Sequence, residues 1–127
     1  MNIIAIVQAR MASTRLPGKV LLKVLNTPIL SIQLQRIRQV RQIEKIVIAT
    51  TTNSIDDSIE ELGVVENIPV FRGDEHDVLG RFQGAAKKFD ADAIVRLTGD
   101  CPLIDPEIVD HIISIFKKKD SRLRVVT

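Results

Sequence analysis

Short aliphatic runs alternate with longer amphipathic ones along the whole chain, and this alternation restricts the fold more than any other feature. Asn2 to Val7 and Ile46 to Thr51 are β-branched and uncharged in their middles, so each predicts a strand covered on both faces. Pro69 to Phe71 predicts a short strand, and Ala93 to Leu97 a fourth buried one. Between the first two, Ile29, Ile32, Leu34, Ile37, Val40 and Ile43 recur at mixed, mainly three-residue steps. Gln35, Arg36, Arg38 and Arg41 fill the other side, which predicts an amphipathic helix begun near Pro28. A second helix is predicted over Ser54 to Leu62, with Ser54 as N-cap, Asp56 and Asp57 in the first turn and Gly63 as the stop. A third is predicted over His76 to Phe89, with Val78, Leu79, Phe82, Ala85, Ala86 and Phe89 on one face. A fourth opens at Asp105 and Pro106 and reaches Lys119. Val125 and Val126 read as entering a fifth strand.

Buried strands alternating with helices imply an α/β sandwich around a mostly parallel sheet wound by right-handed crossovers. Ligands of such sheets sit beyond the carboxyl ends of the strands, so the loops after Val7, Thr51, Phe71 and Leu97 are where chemistry is expected. At 127 residues the chain has the length of one domain, and 45% hydrophobic with 27% charged residues is ordinary globular composition. A net charge of +2, 3% aromatics and no Trp or Tyr give little surface for stacking nucleic-acid bases, so no nucleic-acid partner is expected. The lone Cys101 excludes an internal disulfide and argues against structural zinc, which favours a reducing, cytoplasmic setting. No apolar stretch approaches the ~20 residues of a membrane helix, and no membrane association is expected.

The loop after the first strand, Gln8-Ala9-Arg10-Met11-Ala12-Ser13-Thr14-Arg15-Leu16-Pro17-Gly18-Lys19, gathers three cations, two hydroxyls and a glycine. Cations on a short loop can surround a triphosphate while backbone amides complete the cage. Each charge-assisted contact contributes roughly 1.5 to 3 kcal/mol. Taken alone the loop fits a solvated basic segment equally well, and its place after the first strand favours the anion cage. Neither Gly-x-Gly-x-x-Gly nor the Walker spacing is present, which disfavours dinucleotide and P-loop folds. After the fourth strand, Thr98-Gly99-Asp100-Cys101-Pro102-Leu103-Ile104 sets one carboxylate beside a glycine. Asp100 fits either a Mg2+ ligand facing phosphate oxygens or an Asx-turn before Pro102.

These two segments resemble the signatures of the cytidylyltransferase family, which includes the enzymes that activate 3-deoxy-manno-octulosonate and acylneuraminates as CMP-sugars. The likeness is greatest to the spore coat polysaccharide biosynthesis branch, and Phe71-Arg72-Gly73-Asp74-Glu75-His76-Asp77-Val78-Leu79-Gly80-Arg81-Phe82 resembles that branch's cleft-lining segment after the third strand. The resemblance implies a Rossmann-like, glycosyltransferase-A-like three-layer fold. It implies that Arg10, Arg15 and Lys19 hold the CTP phosphates, with Gln8, Ala9, Ser13 and Thr14 on the same loop near the nucleotide. Asp100 is implied to hold Mg2+. Thr98 stands where the octulosonate enzymes carry glutamine, and keeps a hydroxyl for base or sugar. The implied reaction is attack by a sugar oxygen on the α-phosphorus of CTP with release of pyrophosphate.

The likeness runs over residues 1–127, yet family members are about twice this length. The implied role is the nucleotide-binding part of a sugar nucleotidyltransferase domain, truncated, with CTP and a sugar acceptor as partners and a homo-oligomer as the assembly. In the family the remainder supplies most sugar contacts and a second metal-binding aspartate. A non-catalytic nucleotide-binding or assembly module, and a transferase using another nucleoside triphosphate, are the alternatives.

Other residues carry two readings. Thr51, Thr52 and Asn53 fit base contacts or a cap for the next helix. Gly73 fits close approach of a ligand or a strand end, and Asp77 and Arg81 fit an ion pair at helical spacing or cleft contacts. His76 reads as a polar residue at a helix start. Lys117, Lys118 and Lys119 read as a last turn complementing the helix dipole.

Overall fold

The computed structural model describes residues 1–12, 17–99, 103–119 and the backbone of 125–126. Ser13, Thr14, Arg15, Asp100 and Cys101 lie outside the described residues. In chain order the elements are β1 Ile3–Gln8, β2 Lys23–Val24, β3 Thr27–Pro28, α1 Ile29–Ile37, β4 Lys45–Thr51, α2 Asp57–Glu66, β5 Val70–Gly73, α3 Val78–Lys88, β6 Ala93–Thr98, α4 Pro106–Lys119 and β7 Val125–Val126. Five strands form one parallel sheet in the order β5-β4-β1-β6-β7, and β2 pairs with β3 as a separate antiparallel ribbon.

The central strand explains the layers. Ile3, Ile4, Ala5, Ile6 and Val7 are all at 0% exposure. Ile3, Ala5 and Val7 pack with Leu30, Leu34 and Ile37 of α1, Ile59 of α2, and Val109, Ile113 and Phe116 of α4. Ile4 and Ile6 pack with Phe82 and Ala85 of α3. The chain is therefore the expected α/β sandwich, with α1, α2 and α4 on one face and α3 on the other. Each large aliphatic side chain removed from water contributes about 1.5–3 kcal/mol, so the all-apolar strand must lie in the middle.

The structure differs from the sequence reading at several element ends. The first helix stops at Ile37, and Val40 and Ile43 pack on the same core from the turn that follows. That turn is held from a distance: the Asp110 carboxylate of α4 accepts the backbone N–H of Arg41 at 3.0 Å and of Gln42 at 3.1 Å. Gly63 does not end the second helix, which runs to Glu66 and closes at Asn67, in the left-handed region at φ 57°. A Cβ at Gly63 would collide with the Val70 side chain and stand 3.0 Å from the Ile68 carbonyl, so this glycine lets α2 lie against the segment entering β5. Asn53, rather than Ser54, caps the first turn, accepting from Ile55 N–H at 3.0 Å. The third helix begins at Val78 behind Asp77, whose carboxylate accepts from Gly80 N–H at 2.8 Å. Asp105 caps the fourth as expected, accepting from Glu107 N–H at 2.9 Å.

Two expectations follow. Gly63→Ala gains helix propensity of about 1 kcal/mol yet lowers stability by about 1–3 kcal/mol, because overpacking against Val70 outweighs it; urea denaturation measures the balance. Burial pushes the Asp110 carboxyl up, but the hydrogen bonds from Arg41 and Gln42 outweigh it and hold the group below the usual carboxylate range. A depressed folded pKa contributes stability above the unfolded value that is lost as pH falls through the folded one. Asp110→Ala is therefore expected to cost about 1–2 kcal/mol at neutral pH, with the gap closing below pH ~3.9, in denaturation curves taken across pH.

Candidate functional site

The carboxyl ends of the parallel strands bring the described candidates to one edge of the sheet. Gln8, Ala9 and Arg10 leave β1, Thr51 ends β4, Gly73 ends β5 and Thr98 ends β6. Register fixes this alignment, since Gln8 lies opposite Ala49 on one side and Thr98 on the other.

The loop after β1 is tied down at both stems. Ala9 N–H extends the ladder to the Ala49 carbonyl at 3.0 Å. Met11 N–H donates to Asp56 Oδ1 at 2.7 Å, and Thr51 Oγ1 donates to the other oxygen of the same carboxylate. Asp56 is only 1% exposed, so a charge-assisted pair of donors holds it inside the protein. At the far stem, Gly18 N–H returns to the Met11 carbonyl at 2.7 Å and Gly18 adopts φ 74°, a conformation suited to glycine. Lys19 follows, half-buried, at the start of a short 3-10 turn, while Arg10 is exposed. The structure thus holds Arg10 and Lys19 on either side of a closed loop whose middle lies outside the described residues.

The loop after β6 is held against the first. Gly99 N–H donates to the Gln8 carbonyl at 2.8 Å. A Cβ at Gly99 would stand 3.1 Å from both Ala9 Cβ and Val20 Cγ1 and 3.2 Å from the Gln8 carbonyl, so only glycine fits without displacement. Helix α1 grips both flanks of residues 100–102. The fully buried Gln33 donates from Nε2 to the Thr98 carbonyl at 2.8 Å, and Arg36 donates from Nε to the Ile104 carbonyl at 2.6 Å. Arg36 was expected on a solvent face; it is instead a strut under the second loop.

Arg72 braces the third side. Its guanidinium donates to the carbonyls of Thr51 at 2.7 Å and Asn53 at 2.8 Å, and pairs with Asp57 at 2.7 Å and Glu60 at 2.8 Å. Hydrogen bonds to Asp57 and Glu60 raise its pKa above the ordinary arginine value. Thr51 is buried, its hydroxyl donating to Asp56 and accepting from Asn53 N–H at 3.1 Å. Gly73 accepts from Thr52 N–H at 3.0 Å, and a Cβ there would press on Arg81 Cγ at 3.0 Å. The ion pair expected between Asp77 and Arg81 is absent: Asp77 caps α3, and Arg81 turns inward to 1% exposure, donating from Nη1 to the carbonyls of Asp74 and Glu75. His76 is exposed, its ring nitrogen 3.7 Å from Glu75.

Sequence reasoning missed Asp56, Gln33, Arg36 and Arg72 as supports of the loops. For Asp56 the available signal was a pair of adjacent aspartates at a helix start. Among the described residues no group of three or more His, Cys, Asp or Glu is placed to hold a metal, and no helix is long and apolar enough to cross a membrane.

The comparisons agree with this architecture. A family model described as Cytidylyltransferase matches residues 4–127. The spore coat polysaccharide biosynthesis protein SpsF of Bacillus subtilis is 42% identical over 116 residues, spanning 88% of this chain and 48% of that protein. A cytidylyltransferase from Leptospira borgpetersenii superposes with a TM-score of 0.90 at 43% identity, covering 94% of this chain and 50% of the other. A CMP:2-keto-3-deoxy-manno-octonic acid synthetase in complex with CTP shares the fold, with a TM-score of 0.78 at 24% identity over 94% of this chain and 48% of its own. The chain spans about half the length of the curated relatives it matches. With both signature loops at one sheet edge and a family model covering nearly every residue, the chain belongs to the cytidylyltransferase family.

Proposed function

We propose that residues 1–127 form the nucleotide-binding part of a sugar nucleotidyltransferase domain that transfers CMP from CTP to an acidic sugar for surface polysaccharide biosynthesis. The observation that carries this reading is the contact of the two loops. Gly99 hydrogen-bonds Gln8 and packs on Ala9, so the basic loop and the segment bearing Asp100 share one cleft edge. The identities of the relatives support the cytidylyl group, CTP and a polysaccharide route.

In this reading Arg10, Arg15 and Lys19 neutralise the phosphates and draw charge off the leaving pyrophosphate. Gln8, Ala9, Ser13, Thr14, Thr51, Gly73 and Thr98 line the nucleotide. The acceptor oxygen forms its bond to the α-phosphorus as the bond to the β-phosphate bridge breaks, and the protein's share is positioning and electrostatic stabilisation. Asp100 would hold Mg2+ together with phosphate oxygens, and one carboxylate with phosphate oxygens and water suits that ion. When bound, the metal supplies Lewis-acid charge to the phosphates. The enzyme acts in the cytoplasm, where CTP is made, as a homo-oligomer.

Calorimetry with CTP and Mg2+ tests the reading. Arg15→Ala combined with Lys19→Ala is expected to weaken CTP binding about 100-fold, the sum of two charge-assisted contacts of roughly 1.5 kcal/mol each; unchanged affinity, or no binding by the folded wild type, sinks it. UTP and GTP as competitors check the choice of base, with CTP expected to win. Asp56→Ala strands Met11 N–H and the Thr51 hydroxyl, and is expected to cost about 1–3 kcal/mol of stability. It should also loosen CTP binding several-fold, although Asp56 has no assigned contact with the nucleotide.

A further inference from the structure

Arg81 is a buried cation with three of its five N–H donors unused. Nη1 donates to the carbonyls of Asp74 at 2.7 Å and Glu75 at 3.1 Å. Nε and Nη2 are buried and donate to nothing, and among the described residues the guanidinium makes no ion pair. The N–H bonds of Nε and Nη2 run parallel along one edge of the planar group, the fork that accepts two oxygens of a carboxylate or phosphate at once. A purely structural arginine gains nothing by leaving that edge buried and unpaired, since desolvated donors of a cation are costly.

Its position selects the kind of occupant. The side-chain stem lies on Gly73, the last residue of β5, and a Cβ at that position would press on Arg81 Cγ at 3.0 Å. The guanidinium therefore sits beneath the carboxyl end of the sheet, under the turn from β5 to α3. Burial, and next the charge of Arg10, hold its pKa below the ordinary arginine value, while Asp56, Asp77 and Asp74 act the other way. Arg10, which disfavours a second cation there, itself leaves the end of β1. An anion between the two would relieve both effects.

We propose that the Nε–Nη2 edge of Arg81 receives an oxyanion of the substrate, taken bidentately, and so adds a further binding cation to the cleft, on the side of β5 and α3 rather than on the loop after β1. The occupant is either a phosphate of the nucleotide or the carboxylate of a sugar acid, two sources of one chemistry. Because the edge is closed from bulk water, occupancy requires the surroundings of the guanidinium to open. The inference rests on the cytidylyl-transfer reading for the substrate's identity.

Proton–nitrogen correlation spectra of the full chain follow the Arg81 Nε–H directly, its resonance identified by its loss in Arg81→Lys and in Arg81→Gln. Inorganic tripolyphosphate and 3-deoxy-manno-octulosonate are titrated separately, then CTP with Mg2+. The expected result is a saturable shift of the Arg81 signal with one of the first two, and a loss of about tenfold in affinity for that same probe in Arg81→Lys, which keeps the charge but not the fork. A response to tripolyphosphate assigns the edge to the nucleotide, and a response to the sugar acid assigns it to the acceptor. An Arg81 signal unmoved by both probes overturns the inference, and it does so alone if CTP still binds and Arg10→Ala weakens that binding. A response to the sugar acid in a chain that binds no CTP supports the inference and removes the nucleotide reading.

Discussion

Everything at the cleft depends on β1 being paired in parallel on both sides while buried on both faces. Such a strand cannot shift by one residue without turning its ladder, and Ile3 through Val7 fill two cores at once. Fixing β1 fixes where Gln8 ends, and with it the ends of β4 and β6 that lie alongside. The chemistry of the cleft then falls to loops, whose own backbone groups need partners that the sheet no longer supplies. Asp56, Gln33, Arg36 and Arg72 are those partners. Each is a polar side chain from outside the loop it supports, and together they turn three loops into extensions of the sheet.

The β-branched runs made the strands legible, because a strand covered on two faces has no other composition available to it. Helix faces were legible for the same reason, and helix ends less so. Val40 and Ile43 continue the helical period of Ile29 to Ile37, since a turn can press apolar residues on the core as well as a helix can. What holds the turn that follows is the Asp110 carboxylate, about seventy residues away in sequence, a distance no local pattern reaches. Gly63 misled for a related reason. A glycine near the end of a helical pattern suggests a stop, but this one answers to Val70 across a gap rather than to its own backbone. The β2–β3 ribbon was invisible because Leu25 and Asn26 make the left-handed turn without the glycine that advertises one.

At the site, the residues that carry charge stood out and those that aim them did not. Arg10 and Lys19 declare themselves by their density in a short loop. Asp56 and Arg81 look in sequence like ordinary members of helical turns, and only burial separates them from their solvated neighbours. The spacing of Asp77 and Arg81 suits an ion pair, but the helix N-terminus competes for the same carboxylate and gains an otherwise unpaired backbone donor. The guanidinium is thereby released to the interior.

Gly99 ties together two segments that are about ninety residues apart in the chain. With no side chain between them, the backbone of one loop is the wall of the other, and a shift of a few tenths of an ångström in either is felt by both. Neither loop is an independent part. A graft that brings in one signature loop from a relative would inherit a mismatched wall, whereas the two exchanged together, with the Gln33 and Arg36 that carry the second, form a transferable unit of recognition.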